Sequence, residues 1–496
     1  MALLLLLFSK TNTLMATFKR IVSPAFFLCF SLITVAQNAP KPIAADYDST
    51  RIEAYLEGTP AGTAKLVGMW GDQNYIADSA LVDASGHFVL RRKNLLPSGL
   101  YTFLLPGMKN FSILVDKDQR MTIRANSADF VGTIQAEGSI NTTLFYETFR
   151  YQIKQEPEIN QLTNVMNSAR PNSPEFQQAK EQQLAMLEER KKYLEGVYRQ
   201  YPDAFFTKFK IAGQNPDFKE FKKPNGDIDT IRQLVYFRDR FWEGVDFNDD
   251  RLLNTPVITN KLKRYIKDLT PQHPDSLIKV SDELIRRVLH NRQYFKYFTN
   301  WIALQHENAK TKVMDGEAVY VHIIKNFFKP ELAWWDTPEN LAALQKHVWE
   351  MEASLMGRKG PDVIAPDVNG QMKSIYEMTA PIIAIFMFSP DCEHCQKEAA
   401  EIQLIYEKWK TKGVDFYGIA VSTNDAEWKK FVKEKGFTFT NVYDPTNRAI
   451  YAKYFVDITP ELYVLNKDRV IVAKNLHANQ LESIFEKELK KIGLGN

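Results

Sequence analysis

The chain has 496 residues, enough for about three domains, and 63 Lys and Arg stand against 60 Asp and Glu for a formal net charge of +3. Charges of both signs are interspersed, which argues against a basic nucleic-acid stripe or a membrane-binding basic face. The hydrophobic share of 45% and charged share of 25% are ordinary for a globular protein.

The N-terminal segment reads as a signal peptide. Lys19-Arg20 precedes an apolar stretch from Ile21 to Val35, and Thr34-Val35-Ala36 supplies small residues for cleavage. A stretch of roughly 15 residues suits a signal peptide and is short for a membrane span. The basic region fits best if translation starts at Met15 rather than Met1. Cys29 follows Phe27-Leu28, not the small residues of a lipoprotein site, so no lipidation is expected. Removal of residues 1–36 would leave two cysteines, Cys392 and Cys395.

Residues 46–138 read as a β-sandwich-like domain: short alternating runs such as Phe111-Ser112-Ile113-Leu114-Val115 lie between turn signals such as Ala84-Ser85-Gly86 and Pro106-Gly107. Residues 141–356 turn helical. Ser173-Pro174-Glu175 and Thr337-Pro338-Glu339 are helix starts, each with a capping hydroxyl, Pro at the first position and an acid in the first turn. Leu184, Leu187, Leu194, Val197, Tyr198 and Tyr201 form one stripe. Leu277, Val280, Leu284, Ile285 and Val288 form another. The aromatics from Tyr294 to Trp301 are read as helix packing rather than a ligand groove. His273, His290, His306, His322 and His347 lack metal-ligand spacing.

From 358 to 496 the pattern alternates strand and helix, ending in a hairpin around Asn466-Lys467-Asp468-Arg469 and a helix from Gln480 to Ile492. Ile382 to Phe388 reads as a buried strand, broken by Ser389-Pro390-Asp391 and followed by helical spacing through Ala399, Ile402, Ile405 and Trp409. Cys392-Glu393-His394-Cys395 sits at this junction. A first cysteine at a helix N-terminus meets unpaired N–H groups and the positive end of the dipole, which favour its thiolate. The second sulfur, one turn on, can then resolve a mixed disulfide. A structural disulfide across so small a loop would stabilise little. Zinc would need two more ligands, and haem attachment would need His where Gln396 stands. Redox exchange is the expected use, with no cofactor and no metal.

On these residues the C-terminal part resembles the secreted TlpA/ResA-like thiol–disulfide oxidoreductases of the thioredoxin superfamily. Cys392 and Cys395 after a buried strand, Glu398 three residues beyond, Thr459-Pro460 before the hairpin and Ala365-Pro366-Asp367 at the entry carry the likeness. The whole chain also resembles multi-domain secreted proteins of Bacteroidetes-type bacteria, in which a β-rich domain and a helical domain of unknown function precede a thioredoxin-like α/β domain. Val245 to Leu253 and Asp315 to His322 are the helical-domain stretches that carry this.

The resemblance implies that Cys392 attacks, Cys395 resolves, Glu398 accepts a proton near the buried sulfur, and Pro460 follows a cis bond that sets backbone groups beside the sulfurs. Asp391, Glu393, His394 and Thr459 are expected to tune the thiol. The family usually has Trp where Asp391 stands. That carboxylate should raise the pKa of Cys392, and a protonated His394 should lower it.

The function expected is a periplasmic thiol–disulfide oxidoreductase acting on protein substrates with an upstream redox partner, reduction slightly favoured. Peripheral association with the envelope fits an exported chain, and neither nucleic-acid binding nor lipid anchoring is expected. The sequence leaves the oligomeric state open. The rival readings are a disulfide oxidase or isomerase, and a binding protein whose redox pair is regulatory. A peroxidase ranks below these, because the Pro-x-x-x-Thr-x-x-Cys pattern is absent before Cys392.

Overall fold

The computed structural model describes residues 49–171, 173–217, 219–307, 314–456 and 458–494. The expected leader, with Met15 and Cys29, lies outside the described residues. The fold divides into two compact units between Lys261 and Leu262.

The first unit opens with eight strands: β1 (Thr50–Glu57), β2 (Gly62–Trp70), β3 (Gln73–Val82), β4 (His87–Arg92), β5 (Gly99–Leu104), β6 (Asn110–Val115), β7 (Arg120–Asn126) and β8 (Gln135–Glu137). They form two four-stranded sheets, ordered β4-β1-β7-β8 and β3-β2-β5-β6. Alternation dictates the facing: in β1, Thr50, Ile52, Ala54 and Leu56 are buried while their neighbours are not. Phe88 of β4 meets Phe103 of β5 at 5.2 Å between ring centroids, so aromatic packing joins the two sheets. The turn before β4 requires Gly86, whose φ is +79° and where a Cβ would lie 2.1 Å from the Leu56 carbonyl oxygen.

Two long antiparallel-spaced helices follow, α1 (Ile140–Ser168) and α2 (Pro174–Gln200). Ser139 Oγ accepts from Thr142 N and Ser173 Oγ from Phe176 N, as N-caps should. The stripe expected along α2 is only partly buried. Leu184 is 46% exposed, and the buried residues of α2 are Phe176, Gln177, Ala179 and Gln183. The helix is covered along one side by α1, where Tyr151 stacks on Tyr193 at 4.0 Å. The stretch from Val245 to Leu253 is fixed by a two-pronged Asp249–Arg251 pair, and Arg251 also reaches Asp116 at 3.1 Å. Leu253 accepts from Gly71 N at 2.8 Å, tying the stretch to the end of β2.

In the second unit, α3 (Pro274–Arg287), α4 (Arg292–Gln305), α5 (Glu317–Phe327) and α6 (Pro338–Glu352) come first. The expected residues Leu277, Val280, Leu284 and Ile285 are buried in α3, and Tyr294, Phe295, Tyr297, Phe298 and Trp301 are buried in α4. These aromatics are core.

The remainder is α/β: β9 (Ile364–Pro366), β10 (Met372–Ser374), β11 (Ile382–Phe388), α7 (Glu393–Trp409), β12 (Val414–Ala420), α8 (Asp425–Lys435), β13 (Thr440–Tyr443), β14 (Glu461–Leu465), β15 (Ile471–Ala473) and α9 (Leu481–Lys491). Five strands form one sheet in the order β13-β12-β11-β14-β15. The β11–β12 and β12–β13 pairs are parallel, and the β11–β14 and β14–β15 pairs antiparallel. Every residue of β11 is buried, as a strand covered on both faces should be. One face holds Phe386, Phe388, Leu462, Cys395, Trp409 and Phe485. The other holds Ile385, Met387, Tyr463, Tyr454 and Ile375. The hairpin turns where expected, with Arg469 N donating to Asn466 O at 2.9 Å.

Candidate active site

The break after β11 and the start of α7 bring the two cysteines together. Cys392 N donates to Ser389 O at 3.1 Å, closing the turn made by Ser389-Pro390-Asp391. Cys392 is the N-cap of α7, and its Sγ accepts the N–H of Cys395 at 3.2 Å. The sulfur thus satisfies one of the N–H groups that a helix start leaves unpaired. Its own S–H donates to the Thr459 carbonyl at 3.1 Å. Both cysteines are thiols; Cys392 is half-buried and Cys395 is buried with no exposed surface. Burial, followed by the neighbouring Cys392 sulfur, pushes the Cys395 thiol up to about 12. Cys392 is therefore the more accessible sulfur of the two, and Cys395 the enclosed one.

The Thr459–Pro460 peptide is cis, and its own carbonyl is the acceptor of the Cys392 thiol. Asp391, Glu393 and His394 are all exposed at the rim. Glu393 pairs with Lys397 at 2.6 Å, one turn along α7, so its charge is offset locally. Glu398 is turned toward the chain after β15: Oε1 meets His477 Nδ1 at 2.7 Å and Oε2 accepts from Ala478 N at 3.3 Å. The described hydrogen bonds of Glu398 run to these two groups and not to a sulfur. Among the described residues, no three His, Cys, Asp or Glu side chains converge as a metal site. A cavity of about 720 Å³ in the first unit, lined among others by Asp118, Asn141, Tyr146 and Arg150, involves none of these residues.

Sequence reasoning passed over a buried polar cluster on the other face of the sheet. Glu461, directly after Pro460, is in register with Met387. It therefore points to the face opposite Cys395. Its Oε1 accepts from Asn475 N at 2.7 Å and its Oε2 from Asn475 Nδ2 at 3.2 Å. Beside it Lys474 is ion-paired to Glu317, with side chains 0% and 2% exposed. Asp315 N donates to Asn475 Oδ1 at 3.3 Å, and Asp315 Oδ2 accepts from Met356 N at 3.1 Å. Burial drives the Glu461 carboxyl up to about 7 and the Asp315 carboxyl up to about 6, Lys474 opposing in both cases. The only advance signal was that Asp315 and Glu317 belong to one of the two stretches quoted from the helical region.

Residues 356–474 match the AhpC/TSA family. The C-terminal part is a thioredoxin-like domain. Residues 172–350 match DUF5106, a domain of unknown function, which covers most of the helical region. Against the thiol–disulfide oxidoreductase ResA of Bacillus thuringiensis (strain Al Hakam) the chain is 24% identical over 143 residues, spanning 29% of this chain and 82% of the relative. The ResA of Geobacillus kaustophilus is 23% identical over 119 residues, 24% of this chain and 68% of that one. Among solved structures, a domain of a possible thiol-disulfide isomerase from Cytophaga hutchinsonii is 29% identical, covering 28% of this chain and 96% of that one, with a TM-score of 0.26. A thioredoxin-like protein from Bacteroides caccae is 18% identical and covers 55% of this chain and 98% of that one, with a TM-score of 0.45.

The chain is thus β-rich, then helical, then thioredoxin-like α/β. The thioredoxin-like domain carries Cys392 and Cys395 at the start of α7.

Proposed function

We propose that the protein is an exported thiol–disulfide oxidoreductase that exchanges disulfides with protein substrates through Cys392 and Cys395. The observation that carries this reading is the asymmetry of the pair: a half-buried sulfur at a helix start and a buried, fully protonated one a turn behind it. The Cys392 thiolate attacks a substrate sulfur, forming a mixed disulfide and releasing one substrate thiolate. Cys395, after losing its proton, attacks the Cys392 sulfur, closing the Cys392–Cys395 disulfide and freeing the second substrate thiol. Two electrons pass to the substrate, and an upstream dithiol must return them. Glu398, one turn beyond Cys395, is the candidate acceptor for the Cys395 proton.

Reduction of the substrate is the favoured direction. Strong oxidants stabilise their reduced thiolate. Here burial disfavours ionisation of Cys395, which favours its thiol over its thiolate. The leader-like segment and the ResA relatives support an extracytoplasmic location, and among the described residues no helix is long and apolar enough to cross a membrane. Insulin reduction in the presence of dithiothreitol tests the activity. The wild-type chain should accelerate precipitation of the insulin B chain, and Cys392→Ser should abolish the acceleration. Equal rates with both would refute the reading.

A further inference from the structure

The Cys392 thiol is held by a carbonyl that belongs to the strand-entry segment Thr459-Pro460-Glu461. What holds that segment is found on the far face of the sheet. Both Glu461 oxygens are bound by Asn475, through its backbone N–H and its side-chain amide. The same amide group accepts, at Oδ1, the backbone N–H of Asp315, which lies just before α5 of the helical region. Next to Asn475, Lys474 is paired with Glu317 in the first turn of α5 and lies over the Tyr463 ring at 5.2 Å from the centroid. The charged and titratable groups that face Glu461 are thus Lys474 and Glu317, with Asp315 and Tyr463 behind them.

We propose that Glu461 and Asn475, anchored by Asp315 and Glu317 of the helical region, are positioning residues that hold the Thr459 carbonyl against Cys392, so that the helical region sets how readily Cys392 reacts. This rests on the reading of Cys392 as the nucleophile. A thiol that donates to a carbonyl gives up that bond before its sulfur can attack. Loosening the anchor weakens the bond and frees the sulfur to react. One hydrogen bond of ordinary net strength changes an equilibrium about fivefold.

The test is the pH profile of Cys392 alkylation by iodoacetamide in the reduced full-length chain, with the modified peptide identified by mass spectrometry. Asn475→Gly removes the bridging amide, and glycine accommodates the φ of +53° at that position. Glu461→Ala is the second variant, which removes both oxygens that Asn475 binds. Each should alkylate about fivefold faster at acidic pH than the wild type. Glu352→Gln, which breaks exposed ion pairs with Lys325 and Arg358 in the same helical region, should leave the profile in place. Unchanged profiles for both Asn475→Gly and Glu461→Ala in folded protein would overturn the proposal. So would an equal shift in Glu352→Gln. Failure of insulin reduction would instead refute the oxidoreductase reading and leave the alkylation profile readable.

Discussion

The Sγ of Cys392 lies 3.1 Å from the carbonyl oxygen of Thr459, 67 positions along the chain, while Cys395 N donates to the same sulfur at 3.2 Å. One backbone group thus accepts from the sulfur and the other donates to it. Cys395, by contrast, is sealed in the core with Phe386 and Phe388.

The first prediction follows from that difference in access. In the reduced, folded protein iodoacetamide should modify Cys392 and spare Cys395. A thiol held up at about 12 has roughly a thousandth of the thiolate of an ordinary cysteine, and burial slows it further. Peptide mapping after limited labelling checks this. Comparable labelling of the two sulfurs would contradict the placement of Cys395.

The buried Lys474–Glu317 pair yields a second prediction. Removing one partner leaves a charge uncompensated in the interior, which costs about 3–5 kcal/mol. Lys474→Met should destabilise the chain by that order in urea unfolding, and Lys474→Met/Glu317→Leu should recover much of the loss. A double variant as unstable as the sum of the single ones would show that the two groups do not act as a pair.

Glu461 gives stability a pH dependence of definite sign. Its carboxyl rises from 4.5 to about 7 on folding, so the folded state binds its proton more tightly than the unfolded one. The group's contribution is complete below pH 4.5 and is lost as pH rises through 7. The loss is on the order of 3 kcal/mol. Glutamine mimics the protonated acid, so Glu461→Gln should gain stability relative to wild type between pH 5 and pH 8. Urea unfolding at the two pH values measures the difference. A constant difference would refute a buried, titrating Glu461.

Glu398 is tested by kinetics rather than stability. Its bond to His477 involves a ring that is 78% exposed, and such pairs are worth about 1 kcal/mol or less. His477→Ala should therefore leave the unfolding midpoint almost unmoved. If Glu398 takes the proton of Cys395, Glu398→Gln should slow closure of the Cys392–Cys395 disulfide by about a hundredfold, the lower end of general-base effects. Stopped-flow fluorescence would record it. Closure at the wild-type rate would remove Glu398 from the mechanism.

Much of the site was legible because its information is local. A buried strand, a Ser-Pro-Asp break and a cysteine at a helix start lie within a short run, and each imposes its own geometry. The caps at Ser173 and Thr337 were readable for the same reason, since a hydroxyl and the N–H it accepts are three residues apart. The expected cis bond at Thr459-Pro460 rested on the family resemblance, and no local rule would have supplied it. Illegible was whatever depends on long-range pairing. Glu317 and Lys474 are 157 positions apart, and each reads alone as an ordinary surface charge. Glu461 follows a strand start where an exposed acid would be unremarkable; only its register with Met387 turns it inward. The stripe on α2 misled in the opposite sense, because apolar spacing announces a helix face but not how much of it finds cover.

The central claim is that Cys392 forms mixed disulfides that Cys395 resolves. Cys395→Ser, expressed from the full sequence and isolated under acid quench, tests it most directly. The account predicts disulfide-linked adducts on non-reducing gels, joined through Cys392, dispersed by dithiothreitol and absent from Cys392→Ser/Cys395→Ser. A Cys395→Ser chain that accumulates no such adducts would contradict it.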